Sequence, residues 1–203
     1  MGLYRAGFDV TGVDIAPQPQ YPFSFVQADA LAFPLEGFDF IWASPPCQAH
    51  STVTRDKSKH ADLIPETRAR LAATSALYVI ENVLGAPIEN AVMLCGAMFG
   101  LGVLRHRLFE LSWFEMQPGH PDHRGSVTTG QYMTVTGNSS GVASWTMRRR
   151  EELGLPRILD SDRGLARRRV AMGIDWMGVK PLSQAIPPAY AKWIGRRALE
   201  AMK

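Results

Sequence analysis

The sequence predicts an α/β fold on a mostly parallel sheet, and two observations carry that prediction. Short apolar runs alternate with helix-forming stretches, the pattern of strands joined by right-handed crossovers. At 203 residues, with 46% apolar and 20% charged content, the chain can bury a sizeable core without disulfides or metals.

Phe8 to Val13 reads as a buried strand that ends at Asp14 and is broken by Pro17 and Pro19. Phe23 to Val26 is a weaker strand, followed by Asp29. Phe38 to Ala43 is a third, halted by Pro45-Pro46. Ser51 to Asp62 is polar and rich in Thr, Lys and His, as a mobile surface loop would be. Pro65 suits a first helical position, Glu66 the first turn, and Arg68 to Ala76 the helix body. Tyr78-Val79-Ile80 opens another strand, ending at Glu81-Asn82-Val83. Val103 to Leu111 reads as a strand with Arg105 and Arg107 on one face, because residues two apart point the same way. From Ser112 to about Pro156 the chain is rich in Gly, Ser, Thr and His, with a β-like piece at Gln131 to Val135. That composition suits an inserted, loop-rich lobe. Helices return at Arg167 to Met172 and at Ala189 to Met202, the second opened by Pro187-Pro188. The expected division is a core over 1–111, a small inserted region over 112–163, and helices returning to the core over 164–203. There is no internal repeat and no low-complexity segment.

Charge permits a polyanionic partner without demanding one. The net charge is +3, with a pI near 9.0. Eight arginines lie between positions 148 and 169 (148, 149, 150, 157, 163, 167, 168 and 169) against four acids, Glu151, Glu152, Asp160 and Asp162. Such an excess serves phosphate contacts, or it is a solvated helix face. No apolar stretch is long enough to span a membrane, and no signal-peptide pattern opens the chain. The two cysteines, Cys47 and Cys95, are far apart and unpaired in pattern, which suits a reducing, cytoplasmic compartment.

Chemistry enters through position. Asp14, Asp29, Cys47 and Glu81 all fall just past predicted strand ends, where α/β sheets gather ligands. Cys47 comes after two prolines on a rigid turn that can present a thiol to a cleft; the alternative is a small buried hydrophobe. Glu81 needs a partner or a role if buried, or it is a capping or salt-bridging acid. Arg105 and Arg107 could clamp an anion or an oxygen-bearing ligand, or they pair charges on a surface strand. His120 and His123 have a spacing seen in metal sites. No cysteine or further ligand lies near them in the sequence, so no metal is expected.

The runs Ser44-Pro45-Pro46-Cys47-Gln48, Glu81-Asn82-Val83 and Arg105-His106-Arg107, with the closing Ala185-Ile186-Pro187-Pro188-Ala189-Tyr190-Ala191, resemble in order the motifs of carbon-5 DNA cytosine methyltransferases. The size and the run Arg105-His106-Arg107-Leu108-Phe109-Glu110 are most similar to short bacteriophage-type members. The resemblance implies a Rossmann-like S-adenosylmethionine-dependent methyltransferase fold with a small target-recognition insertion. It implies double-stranded DNA as partner, a bacterial or phage-infected cytoplasm, and no obligate protein partner. Cys47 is then the thiolate that adds to carbon 6 of a flipped-out cytosine. Glu81 contacts ring nitrogen 3 and the exocyclic amine, Arg107 holds the ring oxygen and steadies Glu81, and Arg105 supports them. On the cofactor side the resemblance assigns Asp14 to the ribose hydroxyls, Ile15 to the adenine face, Asp29 to the adenine amine and Pro45 to the methionine end. The loop from Gln48 to about Ala61 would close over the base, with Gln48, Ser51, Arg55, Lys57 and Lys59 toward DNA. Arg148 and Arg149 would add phosphate contacts from the recognition region.

Three departures accompany the resemblance. The family opens with a strand and a Phe-x-Gly-x-Gly-Gly loop, whereas Met1 to Gly7 correspond only to the segment after that loop. Either the natural start lies upstream, or the cofactor binds weakly or not at all. The second outcome is a catalytically impaired DNA-binding relative. Val103 stands where the family usually has Gln, and Ser183-Gln184-Ala185 where it has Gly-Asn-Ser.

Overall fold

The computed structural model describes residues 1–123, 126–135, 144–155 and 164–203. A short helix, α1 (Gly2–Ala6), is closed by Gly7 in the left-handed region and leads to β1 (Thr11–Asp14) and β2 (Ser24–Gln27). β3 (Phe40–Ala43) comes next, then α2 (Ile64–Ala72) and β4 (Leu77–Asn82). β5 (Val92–Leu94), a 3₁₀ turn at Gly96–Phe99 and β6 (Arg107–Leu111) complete the sheet residues. Five helices follow among the described residues: α3 (Ser126–Thr129), α4 (Ser144–Glu152), α5 (Leu165–Met172), α6 (Val179–Gln184) and α7 (Pro188–Ala201).

The protein is thus a mixed α/β structure, with two hydrogen-bonded sheets among the described residues. β1 and β2 pair in parallel, Thr11 opposite Ser24 through Asp14 opposite Gln27. The larger sheet has the order β3-β4-β6-β5. β3 and β4 are parallel, but β4 with β6 and β6 with β5 are antiparallel. The expected mostly parallel sheet is corrected to this extent. β6 runs back between β4 and β5, a pairing that needs no helical crossover. No hydrogen-bonded pairing joins β1 to β3 among the described residues. The sheets still meet: the ring of Phe8, just before β1, lies 5.1 Å from that of Phe40 in β3.

α2 starts where Asp62 accepts the Ile64 N–H at 3.0 Å, with Pro65 in its first turn. Its buried face is Ile64, Thr67 and Leu71. It stops at Ala72 rather than Ala76, because the Thr74 hydroxyl donates to the Leu71 carbonyl at 2.8 Å and diverts it from the helical ladder.

Two apolar clusters among the described residues hold the elements. The first joins Val79, Val92, Leu94 and Phe109 of the large sheet to Tyr190 and Ile194 of α7. Tyr190, Ile194 and Ala198 recur every four residues and are each 0% exposed, which explains why α7 lies on the sheet. Each large side chain so buried contributes about 1.5–3 kcal/mol. α1 packs across α7 so closely that a Cβ on Gly2 would sit 2.4 Å from the Pro188 carbonyl oxygen. The second cluster gathers Val103, Val135, Ala171, Met172, Ile174 and Leu182. It is seeded where Val103 bridges Met133, so the inserted region and the segment from α5 to α6 share one small core.

Candidate active site

The carboxyl ends of β3 and β4 lie side by side, since Ala43 is in register with Ile80. The chain leaves β3 through Ser44-Pro45-Pro46-Cys47 and leaves β4 through Glu81-Asn82. The Asn82 side chain donates to the Pro45 carbonyl at 3.0 Å and locks the two exits together. The Cys47 carbonyl accepts the N–H groups of His50 (3.0 Å) and Ser51 (2.8 Å), closing a tight turn. Cys47 itself is a free, half-buried thiol.

Glu81 is 6% exposed and faces Arg107 at 3.1 Å. Ser44 is hydrogen-bonded to the same carboxyl, and its hydroxyl also accepts from the Trp42 indole at 3.1 Å. Burial pushes the Glu81 pKa up; the opposing influences, Arg107 first and then Ser44 and Arg105, do not cancel it. The carboxyl is therefore biased toward its protonated form, in which it can donate a hydrogen bond.

This raised pKa has a measurable consequence. A carboxyl whose folded pKa exceeds its unfolded one supports the fold fully below the unfolded value, near 4.5, and loses that support as pH rises through the folded value. Urea midpoints of the parent should therefore fall relative to those of Glu81→Gln as pH climbs from 4.5 to neutrality. Parallel curves would show that Glu81 titrates as an ordinary surface acid.

Arg107 opens β6, and its guanidinium also donates to the His106 carbonyl at 2.8 Å. Arg105 behaves differently from expectation. The strand starts at Arg107, so the two arginines do not share a strand face. Arg105 is 5% exposed and donates to the carbonyls of Val135 and Ser183, both at 2.8 Å. Burial, reinforced by Arg107, pushes its pKa down to about 10. Its carbonyl accepts the Tyr190 hydroxyl at 2.7 Å. Arg105 therefore ties the inserted region and the C-terminal segment to the site from behind. It remains close enough to interact electrostatically with Glu81 and Cys47.

At the end of the small sheet, Asp14, Ile15 and Asp29 come together. The Asp14 carbonyl accepts the Ala28 N–H at 3.1 Å, and Gln27 donates to the Ile15 carbonyl at 3.1 Å. The Asp14 carboxylate is engaged by the Ala16 N–H (2.8 Å) and the Gln18 amide (3.1 Å), and Asp29 accepts the Leu31 N–H at 2.9 Å. Ile15 is 72% exposed, a large apolar side chain open to a flat ligand.

In the loop after Cys47, the side-chain oxygen of Gln48 is buried with no hydrogen-bond partner among the described residues. Ser51 accepts the Val53 N–H at 3.3 Å. Arg55, Lys57 and Lys59 are exposed; Lys57 donates to the His50 carbonyl at 3.3 Å, and Lys59 pairs with Asp56 at 3.1 Å. The loop is anchored by His50 against Asp62 at 3.0 Å.

No protein-family model matches the chain, and no curated protein matches it. Its chemistry therefore rests on the arrangement of its own residues.

The arginine-rich stretch divides. Arg148 and Arg149 are exposed on α4, Arg149 pairing with Glu152 at 2.8 Å. Arg150 and Arg168 are buried, Arg150 donating to the Thr128 carbonyl. Arg157, Asp160, Asp162 and Arg163 lie outside the described residues.

Sequence reasoning missed two contributors. Ser44 was part of a motif but had no assigned role, although it touches the Glu81 carboxyl. The expectation that His120 and His123 lack further ligands also fails, because folding brings Cys95 and His106 to them. Burial, then His123 and His120, hold the His106 pKa below the usual imidazole range.

Proposed function

We propose that the chain is a DNA cytosine-5 methyltransferase with a Rossmann-like core, acting on a cytosine flipped out of duplex DNA. One observation carries the reading: the Cys47 turn, the buried Glu81 and the Glu81-paired Arg107 converge at adjacent strand ends. Those are the three groups that addition to a pyrimidine requires. The Cys47 thiolate forms a bond to carbon 6, and the ring electrons move toward nitrogen 3. Protonated Glu81 donates there and accepts from the exocyclic amine, while Arg107 holds the ring oxygen. Carbon 5 then carries the electron pair that takes the methyl group. Loss of the carbon-5 proton to solvent expels the thiolate, and return of the nitrogen-3 proton to Glu81 restores the ring.

The methyl group would come from S-adenosylmethionine, whose adenosine half suits Asp14, Asp29 and the exposed Ile15, with Pro45 toward its other end. Exposed Arg55, Lys57 and Lys59, together with Arg148 and Arg149, offer phosphate contacts. The parallel pairs β1-β2 and β3-β4 suit part of such a methyltransferase sheet.

A second reading is a DNA-binding relative that has lost the cofactor. It draws on Asp14, whose carboxylate oxygens are both engaged within the chain. Labelled S-adenosylmethionine and unmethylated duplex DNA decide between the two. The first reading expects label in DNA as 5-methylcytosine and a calorimetric signal with the cofactor. Salt-sensitive DNA binding without either result would overturn it in favour of the second.

A further inference from the structure

Cys95, His106, His120 and His123 place four ligand atoms within 4.8 Å of one another, on three separate stretches of chain. Cys95 lies just after β5 and is 0% exposed, His106 immediately precedes β6, and the other two lie in the loop beyond it. The three Nε2 atoms form a triangle: His106 to His120 is 3.1 Å, His123 to His106 3.2 Å and His123 to His120 3.2 Å. The Cys95 sulfur is 3.5 Å from the His123 Nε2.

Hydrogen bonding cannot account for that triangle. A neutral imidazole Nε2 carries either one N–H or one lone pair. No assignment of three such atoms gives every pair one donor and one acceptor, and protonating a ring only adds donors. A cation at the centre satisfies all three lone pairs together. For tetrahedral zinc, the usual bond lengths set nitrogen–nitrogen edges at about 3.3 Å and sulfur–nitrogen edges at about 3.6 Å. The nitrogen triangle and the Cys95–His123 edge already have those dimensions. The other sulfur–nitrogen separations are at most 4.8 Å, so the sulfur needs to draw in by no more than about 1.2 Å.

The backbone around the sulfur is closely packed against it. Cys95 accepts backbone N–H groups from Gly96, Ala97 and Arg105, and from Met98 at the head of the 3₁₀ turn. This ring of N–H dipoles opposes, without overcoming, the burial that pushes the Cys95 thiol pKa up. It depends on close backbone approach, because a Cβ on Gly96 would lie 2.1 Å from the Val103 carbonyl oxygen.

We propose that Cys95, His106, His120 and His123 bind one zinc ion in a closed, tetrahedral, structural site. Four protein ligands leave no open position for a substrate or water. Binding releases the Cys95 proton to solvent and leaves three neutral imidazoles and one thiolate on the metal. The ion pins residues 120–123, at the head of the inserted region, to the residue preceding Arg107. The site orders the lobe and the start of β6, and it stands whether or not the protein transfers methyl groups.

The test uses the full chain, purified without a metal-affinity step. Elemental analysis should find one zinc per chain. Cobalt should replace it with intense tetrahedral ligand-field bands and a thiolate-to-cobalt charge-transfer band. Cys95→Ser should remove the charge-transfer band. Since Cys95 is buried and this variant can fail to fold, His120→Ala is the second probe, at an exposed position. It should weaken zinc binding at least about 100-fold. It should also abolish the fall in melting temperature that a chelator causes in the parent. A folded parent that binds no zinc, an octahedral cobalt spectrum, or a His120→Ala protein with parental zinc affinity would each overturn the proposal.

Discussion

Serine in place of Cys47 is expected to leave a folded protein whose methyl transfer to DNA is lower by about 10⁴-fold or more, or roughly 5 kcal/mol of barrier. The exchange is small in shape. The turn that presents the residue is held by its own carbonyl, which receives the His50 and Ser51 N–H groups and is untouched by the change. The nucleophile is the part that changes. A thiol supplies some thiolate near neutral pH, whereas a serine hydroxyl without an adjacent base supplies almost no alkoxide. Carbon 6 of cytosine needs an anion to attack it, because the ring is only weakly electrophilic even with Glu81 protonated against nitrogen 3.

The companion experiment traps the adduct. DNA carrying 5-fluorocytosine at the target has no carbon-5 proton to lose, so the thiolate cannot be expelled after methyl transfer. The parent should form a covalent complex stable in denaturant, and Cys47→Ser should form none while keeping salt-dependent DNA affinity within a few-fold. If Cys47→Ser methylates DNA at the parental rate, the proposed mechanism is wrong, whatever the parent's specificity. Glu81→Gln should lie between the two, since an amide can donate to nitrogen 3 but cannot transfer a proton.

The features legible in the sequence were local ones. β1 to β4 were readable because each sits in a short apolar run stopped by proline or a polar residue, although β1 begins at Thr11 rather than Phe8; the Cys47 turn follows the end of β3, whereas Glu81 is the penultimate residue of β4 rather than a residue past its end. Arg105 was misread because period-two spacing assumes a strand. Its guanidinium instead reaches Val135 and Ser183, 30 and 78 residues away in sequence, and such partners leave no local pattern. The direction of β6 was hidden for a related reason, because its pairing with β4 on one side and β5 on the other is set by contacts across the sheet. The four metal-ligating residues were invisible in combination: Cys95 is 28 residues from His123, and His106 is 14 from His120. Only the His120–His123 spacing was visible, and alone it carried no weight.

Arg68→Ala is expected to destabilise the protein by about 3–5 kcal/mol, a large share of an ordinary domain's stability. Arg68 grips Glu110 with two bonds of 2.7 Å, from its Nε and one terminal nitrogen, and also donates to the Pro87 carbonyl at 2.7 Å. Glu110 is 5% exposed and further accepts the Glu89 N–H at 3.0 Å. Truncating the arginine strands a carboxylate in the interior of β6, and that desolvation, more than the lost attraction, is the penalty. Two measurements separate these effects. Arg68→Met with Glu110→Leu should recover most of the loss, because an apolar pair of similar volume carries no buried charge. Arg68→Ala alone should lower the melting temperature by roughly 10 °C in a chain of this size. A loss below about 1 kcal/mol would mean that solvent already reaches the pair and that it is worth no more than a surface bridge. The position of the pair gives it a functional bearing. α2 comes directly after the loop that carries Arg55 and Lys57, and β6 carries Arg107 three residues before Glu110. The Arg68–Glu110 clamp therefore fixes the strand that presents Arg107 to Glu81 against the helix that anchors the basic loop, and loosening it should impair both together.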